Sequence, residues 1–199
     1  MTEILQLKIV LDGITPKIWR RFLVKDNISF HDLHNVIQVV MGWGNYHLYS
    51  FYPGKEEIGI PDPDYRDNLF NAKKIKLKDK LSLKQKFGYV YDFGDNWEHI
   101  LTVEKILDNQ DTPLVPTCLE GERAGPPEDC GSYPGYFELI KIKKNKKHPE
   151  YKERIKDWLG EDFDFELFDI EETNKELLKL VKVDGRTIYS YRPDGRAYS

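Results

Sequence analysis

Leu5-Gln6-Leu7-Lys8-Ile9-Val10-Leu11, then Asp12-Gly13, then Lys17-Ile18-Trp19-Arg20-Arg21-Phe22-Leu23-Val24 is the stretch that decides the fold. In its first half Leu5, Leu7, Ile9 and Leu11 alternate with Gln6, Lys8, Val10 and Asp12. A period of two places the first set on one side of a half-buried strand. Asp12-Gly13 is a turn signal, and the connection runs through Pro16. The second half alternates again, with Ile18, Arg20 and Phe22 on one face and Trp19, Arg21 and Leu23 on the other. Strands this close in sequence are expected to pair antiparallel. A strand that alternates apolar residues with arginine most simply has one wet face.

Moving outward, Ser29 reads as a helix N-cap, with Asp32 three residues on as a capping-box partner. Leu33, Val36, Ile37, Val40 and Met41 then form one apolar helical stripe, and Gly42 and Gly44 end it. Residues 47–53 read as a third strand, and 54–72 as a turn-rich loop. Ile75 and Leu77 alternate with lysines and predict a short edge strand. Tyr89 to Phe93 and Trp97 to Ile106 are further strands, joined at Gly94-Asp95-Asn96. Residues 108–135, rich in proline and glycine, read as one long irregular segment. Tyr136 to Lys144 and Pro149 to Leu159 read as helices. Asp169 caps a third, with Leu177, Leu178 and Val181 as its apolar face. Strands crowd the first half and helices the last third. The expected fold is therefore α+β, a mainly antiparallel sheet packed by helices. Residues 1–181 are expected to form one domain. Residues 182–199, with two Asp-Gly-Arg triplets, are expected to form a tail or small hairpin.

The chain has 199 residues and a net charge of −4, which argues against nucleic-acid binding over its whole surface. No apolar run approaches the roughly 20 residues of a membrane span, so no membrane partner is expected. Met1 to Leu11 has no basic n-region, so it does not read as a signal peptide. Two cysteines suit a reduced, cytoplasmic protein better than a disulfide scaffold.

Five stretches together resemble one known family. They are Pro16-Lys17-Ile18-Trp19-Arg20-Arg21; Leu33-His34-Asn35-Val36-Ile37-Gln38 with Met41-Gly42-Trp43; His47-Leu48; Tyr91-Asp92-Phe93-Gly94-Asp95-Asn96-Trp97-Glu98-His99; and Pro126-Pro127-Glu128-Asp129. In this combination the chain resembles the Ri-plasmid open-reading-frame-three-like family, also labelled resolvase-like passengers of insertion elements, over about residues 1–180. The resemblance implies an association with plasmids or mobile elements and no established activity. The serine-centred features of a true serine recombinase are absent from the sequence.

The chemistry-bearing residues concentrate at Tyr91 to His99. A turn at Gly94-Asp95 brings Asp92 and Asp95 near one another, and alternation puts Trp97 and His99 on one strand face. With Glu128 and Asp129 from the long loop, they can hold a divalent cation or do acid–base work. They can equally satisfy turn amides, with His99 as a hydrogen-bonded core residue. His31 and His34 lie one helical turn apart, and His47 follows the Met41-Gly42-Trp43 turn. Arg20 and Arg21, with Trp19, can contact a phosphate or carboxylate, and Trp97 and His47 are further binding candidates. Cys118, Cys130 and His99 are a sparse set for zinc, which usually wants four ligands with a close Cys pair, and free thiols are the default. Residues 73–86 carry seven lysines against one aspartate. Residues 141–156 carry eight Lys/Arg against two glutamates, and 157–176 nine acids against one lysine. The lysines can form a nucleic-acid footprint or simply a solvated surface.

Three functions follow as expectations. The first is a non-catalytic binding module, with a protein or nucleic-acid partner, working through the cleft between the Tyr91–His99 turn and the 118–135 loop. The second is a metal-assisted hydrolase or nuclease using Asp92, Asp95, His99, Glu128 and Asp129. The third is nucleic-acid binding through the lysine-rich segments. No cofactor beyond a divalent cation is expected.

Overall fold

The computed structural model describes residues 2–62, 68–108 and 116–180. β1 (Glu3–Leu11) and β2 (Trp19–Lys25) form the antiparallel hairpin that alternation predicts, with Leu7 opposite Phe22. β1 is also paired on its other side, by β7 (Trp97–Asp108), and so lies inside the sheet. Ile4, Leu7, Ile9 and Leu11 are at most 1% exposed.

The remaining strands are β3 (Tyr49–Tyr52), β4 (Ile58–Gly59), β5 (Phe70–Asn71), β6 (Lys86–Tyr91) and β8 (Thr117–Glu122). Their order in one eight-stranded sheet is β5-β4-β3-β6-β7-β1-β2-β8. Every neighbouring pair is antiparallel except β4 and β5. One face is polar: Arg21 pairs with Glu104 at 2.6 Å and with Glu120, and Gln6 donates to Glu104. The other face carries the core, covered by helices. The protein is α+β.

α1 (Phe30–Met41) begins at Ser29, whose hydroxyl accepts from the Asp32 amide. The Asp32 side chain in turn accepts from Ser29, a reciprocal capping box. It ends at Gly42, left-handed at φ 80°, a conformation glycine adopts without Cβ strain. Its stripe is buried as expected, but so are His34, Asn35 and Gln38, because the helix is covered on more than one side. These polar groups are satisfied internally. His34 Nε2 donates to Asn45 Oδ1 (2.6 Å), so Nδ1 accepts from the Tyr89 hydroxyl (2.9 Å), which also accepts from Gln38.

α2 (Ser132–Lys144), a π-type helix (Tyr151–Leu159) and α3 (Ile170–Lys179, capped by Asp169) follow in the last third. Tyr136, Leu139, Ile142, Ile155 and Leu177 are their buried anchors. The expectations for Val181 and for residues 182–199 lie outside the described residues.

Three readings are corrected. Ile75 and Leu77 form no edge strand. Leu77 opens a short 3-10 turn (Leu77–Asp79) and is fully buried, held by Leu77 N–H to Ile28 O and Lys78 N–H to Asp26 O. The 108–135 segment is not irregular throughout, because β8 completes the free edge of β2. Asn174 of α3 then covers β8, donating to Cys118 O (3.0 Å) and accepting from Cys118 N–H (2.7 Å). Finally, β2 does not have one wet arginine face. Arg20 is 1% exposed. It donates to the carbonyls of Val40, Trp19, Glu122 and Arg123 at 2.6–2.8 Å, and Phe168 stacks on its guanidinium. A cation there satisfies the carbonyl end of α1, where the helix dipole is negative.

Candidate functional site

Three chain segments converge at one end of the sheet. The first is the lead-in to β3, where Leu48 O accepts from the Asp92 amide. The second is the turn between β6 and β7. Asp92 there takes φ 55°, a left-handed conformation that aspartate tolerates, and its Oδ1 accepts from the Gly94 amide (2.9 Å). The third is Pro126 to Ser132. Glu128 fastens it, accepting from Gly44 N–H (2.6 Å) and from the Tyr91 hydroxyl (2.5 Å). A Cβ on Gly44 would lie 2.8 Å from that carboxylate oxygen and 2.3 Å from the Tyr46 ring, so a larger residue would have to push both side chains aside. The Ser132 hydroxyl donates to Asp95 O (2.6 Å), and the Trp97 and Tyr133 rings pack at 4.9 Å. The bend near Gly94 and the proline-rich segment therefore meet.

At the junction His47 Nε2 lies 3.2 Å from Asp129 Oδ1 and 3.7 Å from Asp92 Oδ2. One ligand atom from each of the three residues falls within 4.8 Å of the others. Asp92 is 7% exposed, His47 is half-buried and Asp129 faces solvent. Ligand atoms of an ion bound at about 2.0–2.3 Å stand about 3–4.5 Å apart, so the set has room for one. An imidazole with two carboxylates suits zinc, manganese or iron and leaves coordination positions open. Among the described residues His47 Nε2 is a buried atom with no hydrogen-bond partner, although both carboxylates lie close by.

The surroundings are unusually apolar for an exposed surface. Tyr46 (68% exposed) and Leu48 (53%) flank His47, and Phe93 (40%) follows Asp92. Asp129 opens onto a cleft of about 490 Å³ whose other lining residues, Glu153, Arg154, Asp157 and Trp158, all come from the π-type helix. Such helices recur at functional sites.

The other candidates lie elsewhere or are committed. His99 shares a face with Trp97 as alternation predicts, but that face is the core. Its ring packs against Trp43 and Tyr89, and burial pushes its pKa down to about 3. Asp95 and Glu128 border the three-residue set without joining it. Trp97 is 1% exposed. Arg20 is bound to backbone carbonyls, and Arg21 is paired with Glu104 and Glu120. His47 points to the carboxylates rather than to His34. The His34 ring instead stacks on Tyr49 (3.6 Å between centroids), whose hydroxyl bonds His31. Cys118 and Cys130 are buried free thiols whose pKa values burial pushes up to about 11 and about 12. Cys118 contacts the carbonyls of Arg21 and Glu120, and Cys130 that of Ser132. Among the described residues, neither joins a group of three possible ligands.

The turn and the loop singled out in the sequence do meet, and the structure sets Asp92 and Asp129 beside His47 while His99 faces the core. The available signal was local: a histidine between two large apolar residues just before a strand. Glu153 and Asp157, which line the cleft beside Asp129, come from a helix remote in sequence, so no local signal joins them to it.

Known proteins share this chain's sequence pattern and fold. Residues 3–172 match the plasmid pRiA4b ORF-3-like proteins, and the chain belongs to that family. It is 33% identical over 178 residues to the uncharacterized protein y4hQ of Sinorhizobium fredii, covering 88% of this chain and 91% of that one. It is also similar to the crystal structure of a protein of unknown function from Methanosarcina mazei Go1. The TM-score is 0.78 at 40% identity, covering 86% of this chain and 98% of the other. Among the described residues, no helix is long and apolar enough to cross a membrane.

Proposed function

We propose that the chain is a cytoplasmic, non-catalytic binding module whose working site is the cleft at His47, Asp92 and Asp129, and that a divalent cation held there takes part in binding. The observation that carries this reading is the convergence of three ligand atoms from positions 47, 92 and 129 within 4.8 Å of one another. Tyr46, Leu48 and Phe93, next in sequence to His47 and Asp92, are exposed large apolar side chains, which favours a role in binding. Open positions on the cation would take an oxygen or nitrogen donor of the ligand.

The hydrolytic alternative is less well supported. Of its five side chains only Asp92 and Asp129 belong to the set, while Glu128 is tied to Gly44 and Tyr91 and His99 is enclosed by rings. Nucleic-acid binding rests on the lysine-rich segments alone; their ion pairs, such as Lys80 with Glu56 and Lys141 with Glu138, are weak surface pairs, and the net charge of −4 does not favour such a partner.

The test is calorimetric titration of the chelator-stripped protein with Mn²⁺ and Zn²⁺. One saturable site is expected, lost in Asp92→Asn and in His47→Ala, with both variants folded by circular dichroism. Asp92→Asn keeps the acceptor for Gly94 and a residue type at ease at positive φ, so its loss of binding reports on ligation. Absent binding, or binding unchanged in both variants, overturns the reading.

A further inference from the structure

A second concavity, lined by different residues apart from the neighbouring 44–46 and 124–128 segments, carries an inference independent of the cation site. A groove of about 520 Å³ runs between the C-terminal half of α1, the Ala124–Glu128 segment and α3. Its apolar lining includes Val39, Met41, Phe163 and Leu167, and Leu167 is 61% exposed at its edge. The carboxylates lining it are Glu128, Asp169, Glu172 and Glu176. The one basic lining residue among those described is Arg20, whose guanidinium is buried and bound to four carbonyls. The accessible charge of the groove is thus negative.

Two of those carboxylates have structural duties: Glu128 accepts from Gly44 and Tyr91, and Asp169 caps α3. Glu172 and Glu176 stand one turn apart on α3. Among the described residues, each pairs with an exposed lysine three residues on, Lys175 and Lys179. Such pairs are weak and exchangeable. An apolar trough beside replaceable carboxylates matches a cationic segment with one apolar side chain.

We propose that this groove docks a short basic segment of a partner protein. One aliphatic or aromatic side chain enters the trough, and flanking Lys or Arg residues pair with Glu172 and Glu176.

The test uses the full chain and three labelled peptides, followed by fluorescence anisotropy at low and high salt. The first peptide has one leucine flanked by arginines, the second replaces arginine with glutamate, and the third replaces leucine with glycine. Saturable binding of the first alone is expected. It should weaken about tenfold or more at high salt and in the double variant Glu172→Gln/Glu176→Gln, which unfolds at the wild-type temperature. Leu167→Ser should weaken it separately, so the apolar and charged parts are read independently. Three outcomes overturn the proposal. They are no binding of the first peptide, equal binding of the glutamate peptide, and binding indifferent to both variants. Concentration-dependent self-association that the double variant abolishes assigns the groove to a second copy and also overturns it.

Discussion

Acidification from pH 7 to pH 5 is expected to destabilise this protein strongly, through histidines buried in their neutral form. His34 and His99 are both enclosed, and desolvation pushes each pKa down to about 3 from an ordinary 6.5. His31 is pushed down to about 4 by burial and by Lys73, but it is partly exposed and counts for less. The folded-state pKa is the depressed one, so the unfolded chain binds more protons in this window. Stability is therefore fully present above about 6.5 and is lost as pH falls toward 3. At pH 5 an unfolded histidine is almost wholly protonated while His34 and His99 remain neutral. Each then costs about 2 kcal/mol relative to pH 7, about 4 kcal/mol together. Against a typical total of about 5–15 kcal/mol this is a large share. Asp32, whose carboxyl is raised by burial, acts in the opposite sense toward the acid end. His34 has a specific reason to resist protonation: its Nδ1 accepts from Tyr89, so an added proton there displaces a buried hydroxyl. The assay is urea unfolding at pH 7, 6 and 5 by tryptophan fluorescence, with imidazole NMR on the folded protein. With a slope of about 2 kcal/mol/M, the midpoint should fall by about 2 M. A midpoint constant over this range, or folded imidazoles of His34 and His99 titrating near 6.5, refutes the reasoning.

Three further outcomes are expected. Arg20→Met leaves four buried carbonyls without their donor and should cost about 3 kcal/mol or more in urea unfolding; Arg20→Lys should not restore it, because one ammonium cannot reproduce the planar fork. Gly125→Ala places a Cβ 2.1 Å from Met41 O, a backbone atom that cannot step aside, and should cost about 2–4 kcal/mol by thermal unfolding. Asn174→Ala frees both edge groups of Cys118 and should cost about 1–2 kcal/mol, with faster amide exchange at Cys118 than at the paired strands.

Much of the fold was legible because its decisive signals are local. The β1–β2 hairpin, the Ser29–Asp32 cap and Gly42 are set by neighbours within a few residues. What was hidden depends on distant partners. β8 buries fully only Cys118, so it has no strong alternation of its own; the open edge of β2 makes it a strand. Leu77 was read with Ile75 as an alternating pair, but bonds to Ile28 and Asp26 turn the backbone there. Arg20 was visible on the Ile18 and Phe22 face, yet its role needed the position of the carbonyl end of α1. At the site, the meeting of the Gly94 bend with the proline-rich segment is expected only from the acidic residues both carry, and the Ser132–Asp95 and Trp97–Tyr133 contacts show it. The choice of His47 over His99 was not legible, because strand alternation says which side chains share a face and not which face is the core.

The cation site is tested most directly by anomalous scattering from crystals soaked in Mn²⁺. The account predicts one strong peak about 2–2.4 Å from His47 Nε2 and from a carboxylate oxygen each of Asp92 and Asp129. A fully soaked crystal with no peak beside His47, Asp92 and Asp129, or with its peak elsewhere, would contradict it.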